Sequence, residues 1–291
     1  MNTFKIAIAS GKGGTGKTLL STNLFYTLSE TYSSLCLVDC DAEEPNDLGF
    51  FQTHLVEEKK VTQKVPVIDE SRCKFCGKCH DYCAYNAIFI IPPSKVIKVI
   101  DDLCHGCGAC SVACRYGAIS EKEDLLGGIS IHKTTNIGDI IESRVKVGVY
   151  SPVKVIKAGI KASKKYEIVI LDSPPGTSCP FIHTVESSDY VILVTEPTPF
   201  GLSDLKQSVD TLKTMNKNYG VIINRAGLGN REIYDYLDEE EIPLLMEIPF
   251  DKEIARIYST GKLLAKERPE FKEELKKMFD KISSDYGNSH H

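Results

Sequence analysis

The chain has 291 residues, 42% of them hydrophobic, enough for one large domain or two of ordinary size with a sizeable core. A net charge of −5 and a pI near 5.9 exclude a global attraction to nucleic acid or anionic lipid, and no apolar run reaches the ~20 residues of a membrane span. Eight of the eleven cysteines follow a metal-ligand spacing, which favours a reducing cytoplasm over a disulfide framework.

Residues 4–9 read as a buried strand, too short and too poor in basic residues for a secretory leader. Glycines follow, then helical character over 17–29 and a second strand over 34–38 that ends at Asp39 and Asp41. This strand–loop–helix–strand order predicts a parallel sheet with ligands at the strand carboxyl ends. From about 62 to 123 the helical period disappears and cysteine runs alternate with short β segments (65–68, 88–91, 96–100). The α/β pattern then resumes. A helix is expected over 152–163, strands over 167–171, 190–195, 220–223 and 244–248, and helices over 252–262 and 269–283. The reading is an α/β domain (1–61 and 124–291) interrupted by a small inserted domain (62–123).

Gly11 to Thr18 reads G-K-G-G-T-G-K-T. Gly13, Gly14 and Gly16 let the backbone wrap an anion with its N–H groups inward, Thr15 completes the loop, and the following helix adds its positive end. Lys17 would reach the β- and γ-phosphates and the Thr18 hydroxyl would ligate Mg2+. Lys12 is an extra cation near the start of the loop.

The cysteines form two runs, Cys73, Cys76, Cys79, Cys83 and Cys104, Cys107, Cys110, Cys114, each C-x2-C-x2-C-x3-C. Residues 74–88 align without gaps on 105–119 and share the cysteines, one glycine, a tyrosine and a closing Ala-Ile, which marks a pseudo-symmetric duplicated unit. The spacing suits a cubane iron–sulfur cluster. Zinc fits less well, because its knuckles pair two C-x2-C units across longer gaps. Cys36, within an apolar strand, and Cys40, between two acidic residues, read as packing residues.

The phosphate loop with Lys12 resembles the deviant Walker A of the MinD/ParA/nitrogenase-iron-protein superfamily. Val38-Asp39-Cys40-Asp41-Ala42-Glu43-Glu44-Pro45-Asn46 is similar to its second acidic motif, and Leu171-Asp172-Ser173-Pro174-Pro175-Gly176-Thr177 to its Walker B and switch II. The resemblance implies that Lys12 reaches the partner's nucleotide across a homodimer bridged by ATP. It implies that Asp41 positions the attacking water, that Asp39 and Asp172 support Mg2+, and that Gly176 senses the γ-phosphate. Asn224 matches the position that reads the purine, and Pro249 to Asp251 the neighbouring base loop. The cysteine block resembles a bacterial two-[4Fe–4S] ferredoxin, in which the fourth cysteine of each run serves the other cluster. Cluster one would take Cys73, Cys76, Cys79 and Cys114, and cluster two Cys104, Cys107, Cys110 and Cys83. Ala84 and Arg115 replace that family's proline after the fourth cysteine.

Cys179 lies seven residues beyond Asp172, matching the offset of the iron protein's bridging-cluster ligand, so a metal or a third cluster at the dimer interface is a possible assignment alongside a plain packing role. The resemblance implies an ATP-hydrolysing iron–sulfur protein whose nucleotide state gates electron transfer to an unidentified protein. Two alternatives remain, an iron–sulfur assembly or cofactor-maturation ATPase and a redox-sensing positioning ATPase. An apolar stripe (Phe271, Leu275, Met278, Phe279, Ile282) is expected to dock on the sheet rather than on a membrane. No nucleic-acid partner is expected.

Overall fold

A computed structural model describes residues 3–289; His290 and His291 lie outside it. In chain order its elements are β1 (Phe4–Ala9), α1 (Lys17–Leu28), β2 (Leu35–Asp39), β3 (Thr53–Ile68), α2 (Lys78–Asp81), β4 (Ile88–Ile91), β5 (Val96–Val99), α3 (Ala109–Ala113), β6 (Ile119–Thr134) and β7 (Asp139–Val145). There follow α4 (Val153–Ala162), β8 (Ile168–Asp172), α5 (Cys179–Glu186), β9 (Tyr190–Thr195), α6 (Pro199–Thr214), β10 (Asn218–Ala226), α7 (Glu232–Glu239), β11 (Leu244–Pro249), α8 (Lys252–Ser259), α9 (Leu264–Glu267) and α10 (Pro269–Ser289). The chain divides into two compact units. One takes residues up to Lys59, Ile129–Arg144 and those from Val153 on; the other takes Lys60–Gly128 and Val145–Pro152.

The first unit is built on a sheet of order β11-β10-β9-β1-β8-β2-β7, continued by β6 and β3. The pairings from β11 through to β7 are all parallel. β2 and β8 are buried at every residue, as expected for strands covered on both faces, and so they read as unbroken apolar runs rather than alternating ones. Phe25, Leu24, Ile6, Ile8 and Leu37 form the centre of the core. The stripe on α10 is buried in the same core, with Phe279 edge-on to Phe4 and Tyr32 at 6.3 and 5.6 Å between ring centroids. Its apolar face is therefore covered by the sheet and helices of its own unit. Among the described residues no helix is long and apolar enough to cross a membrane.

The strand ends gather the phosphate loop and the acidic motifs. β1 lies between β8 and β9, and β8 lies between β1 and β2. The ends of β1, β2 and β8 are therefore adjacent, in register Ile8 to Asp172 and Asp172 to Asp39. That adjacency is invisible in sequence order and fixes the chemistry of the cleft.

Three differences from the sequence reading have physical causes. The strand expected at 65–68 is the end of β3, which begins at Thr53; residues 54–60 are all exposed, and their Glu-Glu-Lys-Lys run hides a strand from any apolar pattern. β6 and β7 were not expected, and the insertion limits at 62 and 123 fall inside β3 and β6. α6 was also missed, although its start is marked: Thr198 accepts the Gly201 N–H at 3.0 Å and Pro199 takes the first turn.

The second unit carries the repeat. β4 and β5 pair antiparallel, Ile88 opposite Val99. α2 and α3 each follow a glycine of positive φ, Gly77 at 81° and Gly108 at 75°, at matching repeat positions. Phe75 and Gly106 also match, at φ 51° and 63°, so copy one holds an aromatic residue in a conformation that glycine adopts freely. One apolar cluster here is small: Cys79, Ile88 and Ile97, with half-buried neighbours including Phe75, Cys110 and Ile119.

Candidate functional site

A cleft of about 440 Å3 opens at the carboxyl ends of the strands. Gly13, Gly14, Gly16, Lys17, Thr18, Asp41, Asn224, Pro249 and Asp251, all named from sequence, line it. Glu44 and Asn46, from the second acidic motif, line it too, as do Arg225 and Tyr258, for which no role was foreseen. Gly14 and Gly16 hold φ of 76° and 104°, and a Cβ at Gly13 or Gly14 would meet nothing within 4 Å, so the backbone there faces open space. That is the shape an anion cradle requires. Gly11 serves a different purpose: a Cβ there would run into the Asp204 backbone, so it permits close packing against α6.

At the head of α1, Thr18 Oγ1 donates to Asp172 Oδ2 at 2.8 Å, while Asp172 Oδ1 is buried without a hydrogen-bond partner. The Thr15 hydroxyl is likewise buried and unpartnered. Lys17 is nearly buried, and its charge favours the ionised forms of Asp41 and Asp172. Burial nonetheless raises Asp172 above the usual carboxylate range and pushes Asp41 up to about 6. Asp39 does not face the cleft. It accepts the backbone N–H groups of Asp41, Asn46 and Asp47 at 3.1, 2.8 and 3.1 Å and so shapes the loop that presents Asp41. Burial, then the Asp172 charge, raise its pKa well above normal.

Asp47 is the notable residue that sequence reading passed over. It is fully buried, no N–H or hydroxyl donates to its carboxylate oxygens, and burial, the charges of Asp39 and Asp172 and a carboxyl–carboxylate contact with Asp172 hold its pKa well above normal. The unpartnered Oδ1 of Asp172, on the carboxylate that takes the Thr18 hydroxyl, fits a divalent cation with its bound waters, since hard cations take oxygen donors.

Asn224, expected to read a purine, lines the cleft and its amide also ties the P-loop to β10. Nδ2 donates to the Thr15 carbonyl at 2.7 Å and Oδ1 accepts the Arg225 N–H at 2.8 Å. Asp251 caps α8 through the Glu253 N–H at 2.8 Å and accepts from Arg268 at 2.6 Å. The Gly176 N–H donates to the Ser10 carbonyl at 3.1 Å. Lys12 is paired with Glu196, which also accepts from Arg225 Nη1 at 2.7 Å. Glu196 follows a strand with no motif around it, and nothing in the sequence flags it.

In the second unit the cysteines sort into two cavities. Cys73, Cys76, Cys79 and Cys114 line one; Cys83, Cys104, Cys107 and Cys110 line the other. Backbone N–H groups point at sulfur: Phe75 to Cys73 and Gly106 to Cys104 at 3.4 Å, and Ala87 to Cys83 at 3.2 Å. All eleven cysteines are free. Among the described residues no three His, Cys, Asp or Glu side chains are gathered so as to hold a single metal ion. The thiols of each set of four instead line one small cavity, and backbone N–H groups reach one sulfur of the first set and two of the second. Cys36 and Cys40 are buried and burial raises their pKa, whereas Cys179 is exposed at the first turn of α5.

A parallel sheet, a glycine loop entering a buried helix, and carboxylates on adjacent strand ends define a P-loop nucleotide-binding protein. The chain belongs to the CobQ/CobB/MinD/ParA nucleotide binding domain family, which it matches over residues 6–264. It is 34% identical over 269 residues to the uncharacterized protein MJ0579 of Methanocaldococcus jannaschii, covering 90% of this chain and 91% of that one. It is 24% identical over 226 residues to an iron-sulfur cluster carrier protein of Pyrococcus horikoshii, covering 76% and 60%. In fold it is similar to the septum site-determining protein MinD of Pyrococcus horikoshii complexed with Mg-ADP, with a TM-score of 0.60, 23% identity and 98% of each chain covered.

Proposed function

We propose that the protein is an ATPase that carries two [4Fe–4S] clusters and couples its nucleotide state to one-electron transfer to a partner protein. The observation that carries this reading is the sorting of eight cysteines into two complete sets of four, in a chain of a nucleotide-binding family. The carboxylate-rich cleft and the family support ATP with Mg2+ as its ligand.

The chain's own residues have these roles. Loop N–H groups from Gly13 to Thr18 and the start of α1 bind the phosphates, and Lys17 neutralises their charge. Thr18 and Asp172 hold Mg2+, with Asp39 fixing the loop around it. Asp41, at the cleft wall, orients the attacking water and accepts its proton. Lys12 leaves Glu196 to meet the nucleotide of a second copy in the homodimer. Cys73, Cys76, Cys79 and Cys114 hold one cluster, and Cys83, Cys104, Cys107 and Cys110 the other. Bound clusters would supply one-electron storage. The small apolar cluster of this unit and its free cysteines support the assignment, because so modest a core gains much from a cross-linking centre.

The test is anaerobic reconstitution with iron and sulfide, then reduction, then oxidation by an acceptor with ATP, with ADP and without nucleotide. A rate that depends on ATP and loses that dependence in Lys17→Ala supports the reading. Zinc in place of iron, or indifference to nucleotide, ends it.

A second reading, cluster assembly or transfer, draws on the carrier named among the relatives and on exposed Cys179. A labile extra cluster that passes to an apo-protein, and is absent from Cys179→Ala, would favour it.

A further inference from the structure

The two repeats are built alike, so differences at matching positions carry information. Lys74 matches His105, Lys78 matches Ala109, and Arg115 matches Ala84. Lys74 and Lys78 line the cavity of Cys73, Cys76, Cys79 and Cys114, on either side of Cys76, the one exposed cysteine of that set. Arg115 follows Cys114, which this cavity takes from the second repeat, and its Nη2 donates to the Tyr116 hydroxyl at 3.0 Å on the same cavity wall. Two lysines therefore line this cavity and Arg115 touches its wall through Tyr116, whereas the residues matching the lysines at the other cavity are His105 and Ala109, and Arg115 is matched by Ala84.

The second cavity is electrically quieter. Its charged wall consists of Lys64 and Glu121, 3.7 Å apart and largely cancelling. Lys78 is likewise 3.7 Å from Asp81, which offsets its charge, so the excess positive charge at the first cavity comes from Lys74 and Arg115. Lys74, Lys78 and Arg115 are all exposed. A rim of cations around one exposed thiol concentrates positive potential where a redox centre would come nearest to solvent.

We propose that the face around Cys76, bounded by Lys74, Lys78 and Arg115, docks an acidic one-electron carrier protein, so that electrons cross at this cavity rather than at the second. The proposal rests on the reading that both cavities hold iron–sulfur clusters. One electron leaves the reduced carrier and enters the oxidised cluster, or the reverse; no bond forms or breaks and no proton is required. Charge complementarity of this kind acts chiefly on the rate of encounter.

The experiment uses the full-length protein reconstituted anaerobically, with iron and sulfide counted in each sample and both cluster potentials titrated. A reduced acidic flavodoxin is the probe, mixed rapidly with wild type, with Lys74→Glu/Lys78→Glu, and with Lys98→Glu on β5 as a charge control outside both cavity walls. The expected result is a bimolecular rate constant that falls about tenfold between low and high ionic strength in wild type, and about tenfold in the double variant at low salt. Lys98→Glu should stay within about twofold of wild type. A Lys74→Gln/Lys78→Gln variant, gentler on folding, should fall between. Rates indifferent to salt, or an equal loss in Lys98→Glu, overturn the proposal. So does a change in cluster potential with no change in salt dependence, which would make the lysines counter-charges only. Wild type without iron would instead refute the cluster reading, a result visible before any rate is measured.

Discussion

Lys12 lies in an ion pair with Glu196, a carboxylate only 10% exposed that also accepts Arg225 Nη1 at 2.7 Å. Arg225 in turn reaches the Gly14 carbonyl at 3.4 Å. One glutamate thus holds the extra lysine of the phosphate loop within its own chain. If Lys12 serves a second copy, that ion pair opposes the exchange. Glu196→Gln should therefore favour ATP-dependent self-association, lowering the dimer dissociation constant by about thirtyfold, since a symmetric dimer frees two such lysines and each ion pair is worth about 1 kcal/mol. Sedimentation equilibrium with ATP checks this, and an unchanged or weaker dimer counts against it.

Asn224 ties the P-loop to the end of β10. Asn224→Ala leaves the Thr15 carbonyl without that donor, and a loss of about 1–3 kcal/mol in unfolding free energy is expected. Loosening the loop should weaken ADP and GDP binding by the same factor. Calorimetry with both nucleotides separates this from base reading, which would change their ratio.

Gly16 depends on the same contact. Its φ is 104°, and a Cβ would strike Asn224 Nδ2. Gly16→Ala should destabilise the protein by about 1–3 kcal/mol. In Gly16→Ala/Asn224→Ala the penalties should add to less than their sum, because the clash is gone in the second background. Denaturant unfolding of the four proteins closes the cycle.

Asp47 predicts a pH effect with a definite sign. Its pKa is raised by burial and by Asp39 and Asp172, so the ionised form is disfavoured in the folded state. Folded protein therefore binds the proton more tightly than unfolded protein does, and stability declines as pH rises past the unfolded value near 4. Asp47→Asn removes that dependence. Without nucleotide or metal, its melting temperature relative to wild type should rise steadily from pH 4 upward. A difference that stays flat with pH would show that Asp47 is not a strained carboxylate.

Parts of this arrangement were legible in the chain and parts were not. Gly13 to Thr18, Asp41 and Asp172 were readable because each motif is local and ends a strand. The parallel sheet followed from the order of those strands, and the division of cysteines from the resemblance to a two-cluster ferredoxin. Asp47 and Glu196 were hidden because their partners are distant in sequence: Asp172 for one, Lys12 and Arg225 for the other. The hydrogen bonds of Asn224 to the P-loop were not legible, since position alone does not say which way an amide points. β3 was unreadable because its exposed residues carry no apolar period.

Each cysteine cavity borrows one cysteine from the opposite repeat, Cys114 for the first and Cys83 for the second. Half of the insertion on its own can complete neither. Anything that fills the cavities must arrive after residues 73–119 have folded as a whole, and would then fasten points some forty residues apart in the chain, from Cys73 to Cys114. Filling both cavities should therefore stabilise the folded unit as a whole, and damage at one cavity should loosen its neighbour.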